Sequence, residues 1–354
     1  ALIFKRVKLY AINWEQNSEE YMLKVTKPCR ITGTGMHVPS KVPSEKIETE
    51  HGLPAGWSLK HSGVQTRHWI TTETVAKLGS QAAQAALDNA AVELCDIDVF
   101  ITAGATSDQH IPSQAALTLG QMCEGGKATC QAFHIDTTCL SFMSAFRLAA
   151  DMLQDPEVKR ILVVASEVAS VGIGPSNWET LTLFGDGAAA MVLEECSDAR
   201  VGLVRHHHKT YTKGLRAAEI PGGCVAKWVE DFAFAPDLHH FQMDGRELLR
   251  LTLKHLPGFI EHFFDGTQCT WSDVTWTVPH QASKTGLGMI PKIARVSPDR
   301  VVSILETTGN CISASIPMAL HHLATTEGLH KGDSILFIGT SAGYGIGALL
   351  YQHG

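Results

Sequence analysis

Residues 133–153 read "FHIDTTCLSFMSAFRLAADML". A short apolar run gives way to a turn of small residues, and from Leu140 onward the apolar positions recur at three- and four-residue spacing. The stretch therefore predicts a strand, a tight turn and an amphipathic helix. Cys139 stands at the joint. A thiol there lies near the unpaired N–H groups of a helix N-terminus, whose dipole favours the thiolate and lowers its pKa. Equally, Cys139 could be one packed apolar residue among nine cysteines (29, 95, 123, 130, 139, 196, 224, 269 and 311).

Outward from this stretch the alternation repeats. "CRITGTGM", "DVFITAG", "AFHID", "RILVVASEV" and "AAAMVLEE" read as strands in the first half, and "VGLVRHHH", "VTWTVPH", "VVSILE", "SILFIGT" and "GIGALLY" in the second, with amphipathic helices between them. That order predicts an α/β protein. Two segments, "DIDVFITAGATSD" (96–108) and "WSDVTWTVPHQAS" (271–283), each follow a helix and place an acid before a buried strand. They predict a duplication, with one half over 29–197 and the other over 198–354. Residues 1–21 precede the fold-like pattern and are read as an N-terminal extension or a cloning-derived addition. Segments 166–183 and 205–245 are the long irregular insertions, where binding loops are expected.

The 354 residues are 44% hydrophobic and 18% charged, enough apolar material for a large core. A formal charge of -7 offers no basic surplus for a phosphate backbone, so nucleic acid is not an expected partner. No apolar run reaches the roughly 18 residues of a membrane span. The cysteines include no C-x-x-C pair and a chain this size needs no disulfide staples, which predicts reduced thiols and a cytoplasmic protein. "RHHH" (205–208) is a poor metal site, because adjacent histidines on a strand face opposite ways. The glycine-rich "FGDGAAA" (184–190) lacks the lysine and spacing of a phosphate loop and reads as structural backbone.

"TVPHQAS" ends its strand with His280, and "TTGNCISASIP" places Asn310 in a Gly-Asn turn before a helix. A thiol, an imidazole and a carboxamide, each at a strand or loop end followed by a helix, can converge on one face of a doubled α/β sheet. Taken singly, a lone histidine is more often a packed residue and a Gly-Asn pair more often a turn. "DTTCLSF", "LFGDGAAAMVLE", "VPHQAS" and "GNCISASIP", in this order, resemble the signatures of β-ketoacyl-acyl-carrier-protein synthase III, the initiating condensing enzymes of the thiolase superfamily. The resemblance implies a thiolase-like fold, two duplicated α/β halves layered α-β-α-β-α, in a homodimer. It implies catalytic Cys139, His280 and Asn310, with the backbone N–H groups of Cys139 and Gly343 as the oxyanion hole, and no cofactor or metal. The partners it implies are an acyl-CoA or an acyl-carrier-protein thioester, and a malonyl thioester that condenses with the acyl-Cys by decarboxylation.

By the same resemblance Trp57, Ile111, Trp178, Phe184 and Ser283 contact substrate, and Lys284, Lys292 and Arg295 offer a basic face to an acidic carrier. That face could also be an ordinary solvated helix surface. The sequence departs from the family at Trp178 and Gln65, where arginines that hold CoA are expected, and at Thr285, where a basic residue is expected. Ile111 stands at the gate of the partner's acyl pocket, and an aliphatic gate implies longer or branched acyl groups. Two alternatives keep part of the machinery: acyl transfer to an alcohol or amine, against which Asn310 argues, and a silent acyl-carrier binding subunit, against which Cys139 argues. A non-decarboxylating condensation needs a Glu base, and none occurs in "ATSDQHIPSQ".

Overall fold

The computed structural model describes residues 23–123, 126, 129–222, 235–265, 267, 269–294 and 296–354. The expected extension at 1–21, Cys224 and Arg295 lie outside the described residues.

The first half runs β1 (Lys27–His37), β2 (Ser40–Pro43), α1 (Ser44–Glu50), α2 (Trp57–His61), β3 (Thr66–Trp69), α3 (Val75–Ala90), β4 (Val99–Ala103), α4 (Gln114–Met122) and β5 (Gln131–Ile135). It continues through α5 (Ser141–Met152), β6 (Arg160–Glu167), α6 (Trp178–Leu181) and β7 (Gly187–Glu195). Then follow β8 (Gly202–Thr210), β9 (Ala218–Glu219), β10 (Gln242–Met243), α7 (Gly245–Phe264), β11 (Trp276–Pro279) and α8 (Lys284–Ala294). The chain closes with α9 (Leu305–Thr308), α10 (Ser315–Thr326), β12 (Ser334–Ser341) and β13 (Gly345–Gln352).

Strand order exposes the repeat. The large sheet reads β11-β12-β13-β8-β1-β7-β6-β4-β5. From its centre outward, each side begins with the first strand of its half, then the last, the next to last and the second. The two sides are joined by a short ladder, Lys27↔Leu203 and Pro28↔Gly202. Folding over at this narrow seam leaves two sheet faces with helices between them: α5 packs on β4 and β6 but also on β8 and β13, while α10 packs on β1 and β7 but also on β11. α3 covers the outside of the first sheet and α7 the outside of the second. This is the expected five-layer α-β-α-β-α arrangement. Aromatic rings lock the middle, with Phe146 tilted edge-on to Phe142, Phe337 and Tyr351 at centroid separations of 6.1, 5.8 and 5.6 Å.

One expected strand is missing. "VVSILE" keeps a single ladder partner, Val301 against Thr277, and then turns into α9. The buried Gln281 carboxamide explains the departure: its Oε1 accepts from Ile304 N at 3.0 Å and Leu305 N at 3.1 Å, drawing the backbone off the edge of β11. What would be a fifth strand becomes the turn that carries Asn310.

The segment quoted at the outset has a counterpart across the repeat. Asp136 Oδ1 accepts from Thr138 N at 2.7 Å, and Asn310 Oδ1 accepts from Ile312 N at 2.9 Å. Thr138 and Ile312 both adopt left-handed backbone, φ 52° and 48°, which costs a β-branched residue of order 1 kcal/mol or more. Ser141 Oγ then accepts from Thr137 N, as Ser315 Oγ does from Cys311 N, each at 2.9 Å. Both turns lead through a short 3-10 helix into the two central helices, α5 and α10. Cys139 and Ser313 are therefore equivalent positions in the two halves, and so are Asp136 and Asn310.

Candidate active site

Three turns meet at the C-terminal end of β12. His280 follows β11, and its N–H donates to Ile338 O at 2.8 Å. A methyl placed on Gly339 would lie 2.7 Å from His280 Cβ and 3.1 Å from Leu140 Cδ2, so Gly339 lets the histidine and the Cys139 turn close over the same strand. Thr138 Oγ1 donates to Ala342 O at 3.2 Å, tying that turn to the β12–β13 hairpin. Asn310 is held by backbone on both sides, its N–H donating to Leu183 O at 2.9 Å and its O accepting from Gly185 N at 3.1 Å. Its Nδ2 makes only a long 3.5 Å contact to Ala282 O, two residues beyond His280. The "FGDG" segment is thus backbone scaffolding, as its sequence suggests, and Asp186 anchors it through Ile70 N, Ser170 N and Ser170 Oγ at 2.9, 2.8 and 2.6 Å.

The electrostatics of the trio differ from the simple helix-dipole expectation. Cys139 is half-buried as a residue, yet burial is the largest influence on its thiol, which is pushed up to about 12. The backbone N–H groups of Ala342 and of Cys139 itself favour the thiolate, while Glu167 and Asp136 oppose it. The resting group is a thiol because desolvation outweighs the dipole of a helix that begins only at Ser141. Ala342, the hairpin residue whose amide favours the thiolate, directly precedes the expected Gly343. Gly343 itself adopts left-handed backbone, φ 71°, in the same hairpin. Burial lowers His280 to about 4, so its ring is neutral at physiological pH and carries one N–H to donate. Its Nδ1 is buried without a hydrogen-bond partner among the described residues.

The more distant expectations fare unevenly. Phe184 is buried, edge-on to Phe241 at 5.3 Å, with its backbone bridged to Asn310. Trp57 stacks on His61 at 4.0 Å, and Trp178 meets His51 at 5.4 Å; neither indole faces a described arginine. Ile111 is 85% exposed in the loop between β4 and α4. Ser283 Oγ accepts from Gly286 N at 3.1 Å and caps the first turn of α8, which gives it a structural task. Lys284 Nζ donates to Leu59 O at 3.2 Å, bracing α2. Of the expected basic face, Lys292 stands exposed on α8. His206 and His207 point to opposite sides of β8, His207 toward Phe259 and His262 and His206 toward Arg147 and Asp151. Sequence reasoning missed Glu167, Thr106 and Ser313, which interlock behind the trio. The available signal was an acid closing the otherwise apolar strand "RILVVASE".

The duplicated layers, with a cysteine, a histidine and an asparagine gathered at one end of them, define a thiolase-fold protein of the Cys–His–Asn kind. Residues 133–212 match the family model for 3-oxoacyl-[acyl-carrier-protein] synthase III, and residues 264–353 match the model for its C-terminal part. The β-ketoacyl-[acyl-carrier-protein] synthase III of Vesicomyosocius okutanii is 29% identical over 331 residues, 93% of this chain and 100% of that protein. The Agrobacterium fabrum protein of the same name is 29% identical over 328 residues, 91% of this chain and 98% of its own. In fold, the chain resembles the 3-oxoacyl-[acyl-carrier-protein] synthase III of Aquifex aeolicus (TM-score 0.82, 24% identity, 92% and 100% of the two chains covered). It resembles equally the priming β-ketosynthase of the R1128 polyketide pathway (0.82, 24%, 94% and 99%). On these matches the chain is similar to the condensing enzymes of the 3-oxoacyl-[acyl-carrier-protein] synthase III family.

Proposed function

We propose that the protein forms an acyl thioester on Cys139 and condenses it with a malonyl thioester to give a 3-oxoacyl product. The observation that carries this reading is the closure of the Cys139 turn and His280 over Gly339, with Asn310 beside the loop that follows His280.

The Cys139 thiol loses its proton as its sulfur attacks the acyl thioester carbonyl. The oxyanion so formed is met by backbone N–H groups, with Cys139 and Gly343, or the adjoining Ala342, the candidates, and the departing thiolate takes up the proton that Cys139 lost. Decarboxylation of the malonyl group then leaves its electron pair on the thioester enolate. No base is needed, because carbon dioxide leaves in place of a proton. A neutral His280 donates one hydrogen bond to the enolate oxygen and Asn310 Nδ2 a second, donors of the kind whose removal costs about 3 to 4 kcal/mol. The carbanion attacks the acyl-Cys carbonyl, the C–S bond breaks, and the released Cys139 thiolate takes up a proton from solvent, the one proton that the decarboxylation consumes. Among the described residues no helix is long and apolar enough to cross a membrane.

A homodimer fits this reading. β5 lies at the end of the sheet, paired on one side only, and an open edge of this kind is suited to a second copy. Ile111, with 85% of its surface exposed, would then close the partner's acyl pocket. The two halves divide between β7 and β8. Mass spectrometry after mixing with a panel of acyl-CoA and acyl-carrier thioesters tests the reading: a stable adduct on Cys139 supports an enzyme, and no adduct with any donor supports a binding subunit.

Two predictions use the same panel. Ile111→Phe fills the gate and shifts loading from medium-chain toward acetyl donors, an overpacking cost of about 1 to 3 kcal/mol against long chains. Competition between the two donors for Cys139 measures it, and an unchanged ratio means Ile111 does not face the pocket. With Trp178 and Gln65 where arginines are expected, removing the 3′-phosphoadenosine from the donor lowers loading by less than the roughly 1.5 to 3 kcal/mol of one charged hydrogen bond. A larger loss means another cation holds the nucleotide.

A further inference from the structure

Behind Cys139 lies a buried carboxyl group that the reaction above does not use. Glu167, fully buried at the end of β6, accepts from Ala105 N at 2.9 Å and Ser313 N at 3.3 Å through Oε1, and from Thr106 N at 3.0 Å and Thr106 Oγ1 at 2.7 Å through Oε2. Ser313 Oγ is 2.5 Å from Oε1 and also 3.2 Å from Ala103 O. Thr106 Oγ1 accepts from Val168 N at 3.0 Å, which commits its proton to the carboxyl group.

This wiring satisfies two protonation states. When Glu167 is ionised, Ser313 donates to it. When it is neutral, its own proton on Oε1 goes to Ser313 Oγ, and Ser313 donates onward to Ala103 O. The residues tied together are not random: Ala105 and Thr106 begin the loop that carries Ile111, and Ser313 lies in the turn begun by Asn310, at the position equivalent to Cys139. Burial pushes Glu167 up to about 7, and its charge opposes ionisation of Cys139 and of Cys311. The other titratable groups around the thiol are Asp136, which is exposed and therefore screened, and His280, which is neutral.

We propose that Glu167 is a positioning residue, its carboxylate pinning the start of the gate loop to the Asn310 turn, which packs on the Cys139 turn, and its negative charge adding to the desolvation that keeps Cys139 a thiol between turnovers. The inference rests on Cys139 being the nucleophile, but its test does not depend on the condensation. Alkylation of Cys139 by iodoacetamide, followed by peptide mass spectrometry at pH 6 and at pH 9, separates charge from access, because a charge on Glu167 opposes the thiolate only above about 7, where Glu167 is ionised, whereas access to the thiol does not follow that titration.

Glu167→Gln is nearly isosteric and removes the charge. Alkylation at pH 9 becomes about tenfold faster for every unit by which the thiol's pKa falls, while the rate at pH 6, where the parent's Glu167 is largely neutral, stays near the parent's. Ser313→Ala keeps the carboxyl group but removes a donor to its ionised form; Glu167 is then neutral at higher pH, and alkylation at pH 8 accelerates by less. A rate at pH 9 no faster than the parent's in Glu167→Gln, or an acceleration equal at pH 6 and pH 9, overturns the proposal, because looser packing alters access without altering thiol acidity. If Glu167→Gln does not fold, Ser313→Ala decides: an unchanged rate at pH 8 overturns it equally. A panel of thioesters that fails to load Cys139 while these changes in alkylation are observed overturns the enzymatic reading and leaves this one standing.

Discussion

Cys139→Ala yields a protein that accumulates no acyl adduct from any thioester, a loss of about a thousandfold or more, since removal of a covalent nucleophile is not compensated by its neighbours. Cys311→Ala loads normally. The contrast is sharp because the two cysteines lie in equivalent turns, Cys311 matching Thr137 and one position short of the residue aligned with Ile312 and Thr138. Cys311 is fully buried, its Sγ lies 3.5 Å from Thr308 O, and its thiol is pushed well above its ordinary value by burial and by the charges of Asp186 and Glu167. It has neither an open face nor an amide that favours its thiolate. Intact-mass measurement with the best donor of the panel reads both variants, and an equal loss in the two would falsify the assignment of Cys139.

Asn310→Ala still loads Cys139 but condenses about a hundred- to a thousandfold more slowly, the expected cost of losing one preorganised donor to the enolate. This substitution removes two things at once, because Asn310 Oδ1 also accepts from Ile312 N and supports its φ of 48°. Asn310→Asp separates them. It keeps the acceptor, as Asp136 does for Thr138 in the other half, and loses the N–H donor, with a carboxyl group now at a buried position. Loading and thermal stability then stay near the parent while condensation is lost at least as severely as in Asn310→Ala, whose further cost is about 1 kcal/mol of stability from the missing hydrogen bond. Single-turnover acylation, condensation and a melting curve distinguish the two variants. If both lose acylation as deeply as condensation, the division of labour between Cys139 and Asn310 is wrong.

Much of this molecule is legible before it folds. The alternation of apolar runs with three- and four-spaced helices points to an α/β chain, the paired acid-and-strand segments announce the repeat, and four ordered motifs carry Cys139, His280 and Asn310. These are local signals, since strand period, helix period and turn chemistry are properties of adjacent residues. The failures are equally physical. "VVSILE" has strand composition, but Gln281, twenty residues earlier, takes the N–H groups of Ile304 and Leu305 and bends it into the turn that Asn310 needs. Nor does the sequence show that Ser283 caps its own helix or that Lys284 braces α2.

The acidity of Cys139 is likewise a tertiary property. Its place in the chain puts the thiol at a helix start, while its resting charge is set by desolvation, by the Ala342 amide two hundred residues away and by Glu167, an acid whose strand composition carries no hint of its direction. Near neighbours along the chain settle which elements form and which reactive groups stand at their ends. Which of those ends meet, and in what charge state, is settled only when the two halves close on α5 and α10, because solvent exclusion and through-space fields act between residues that the fold alone brings together.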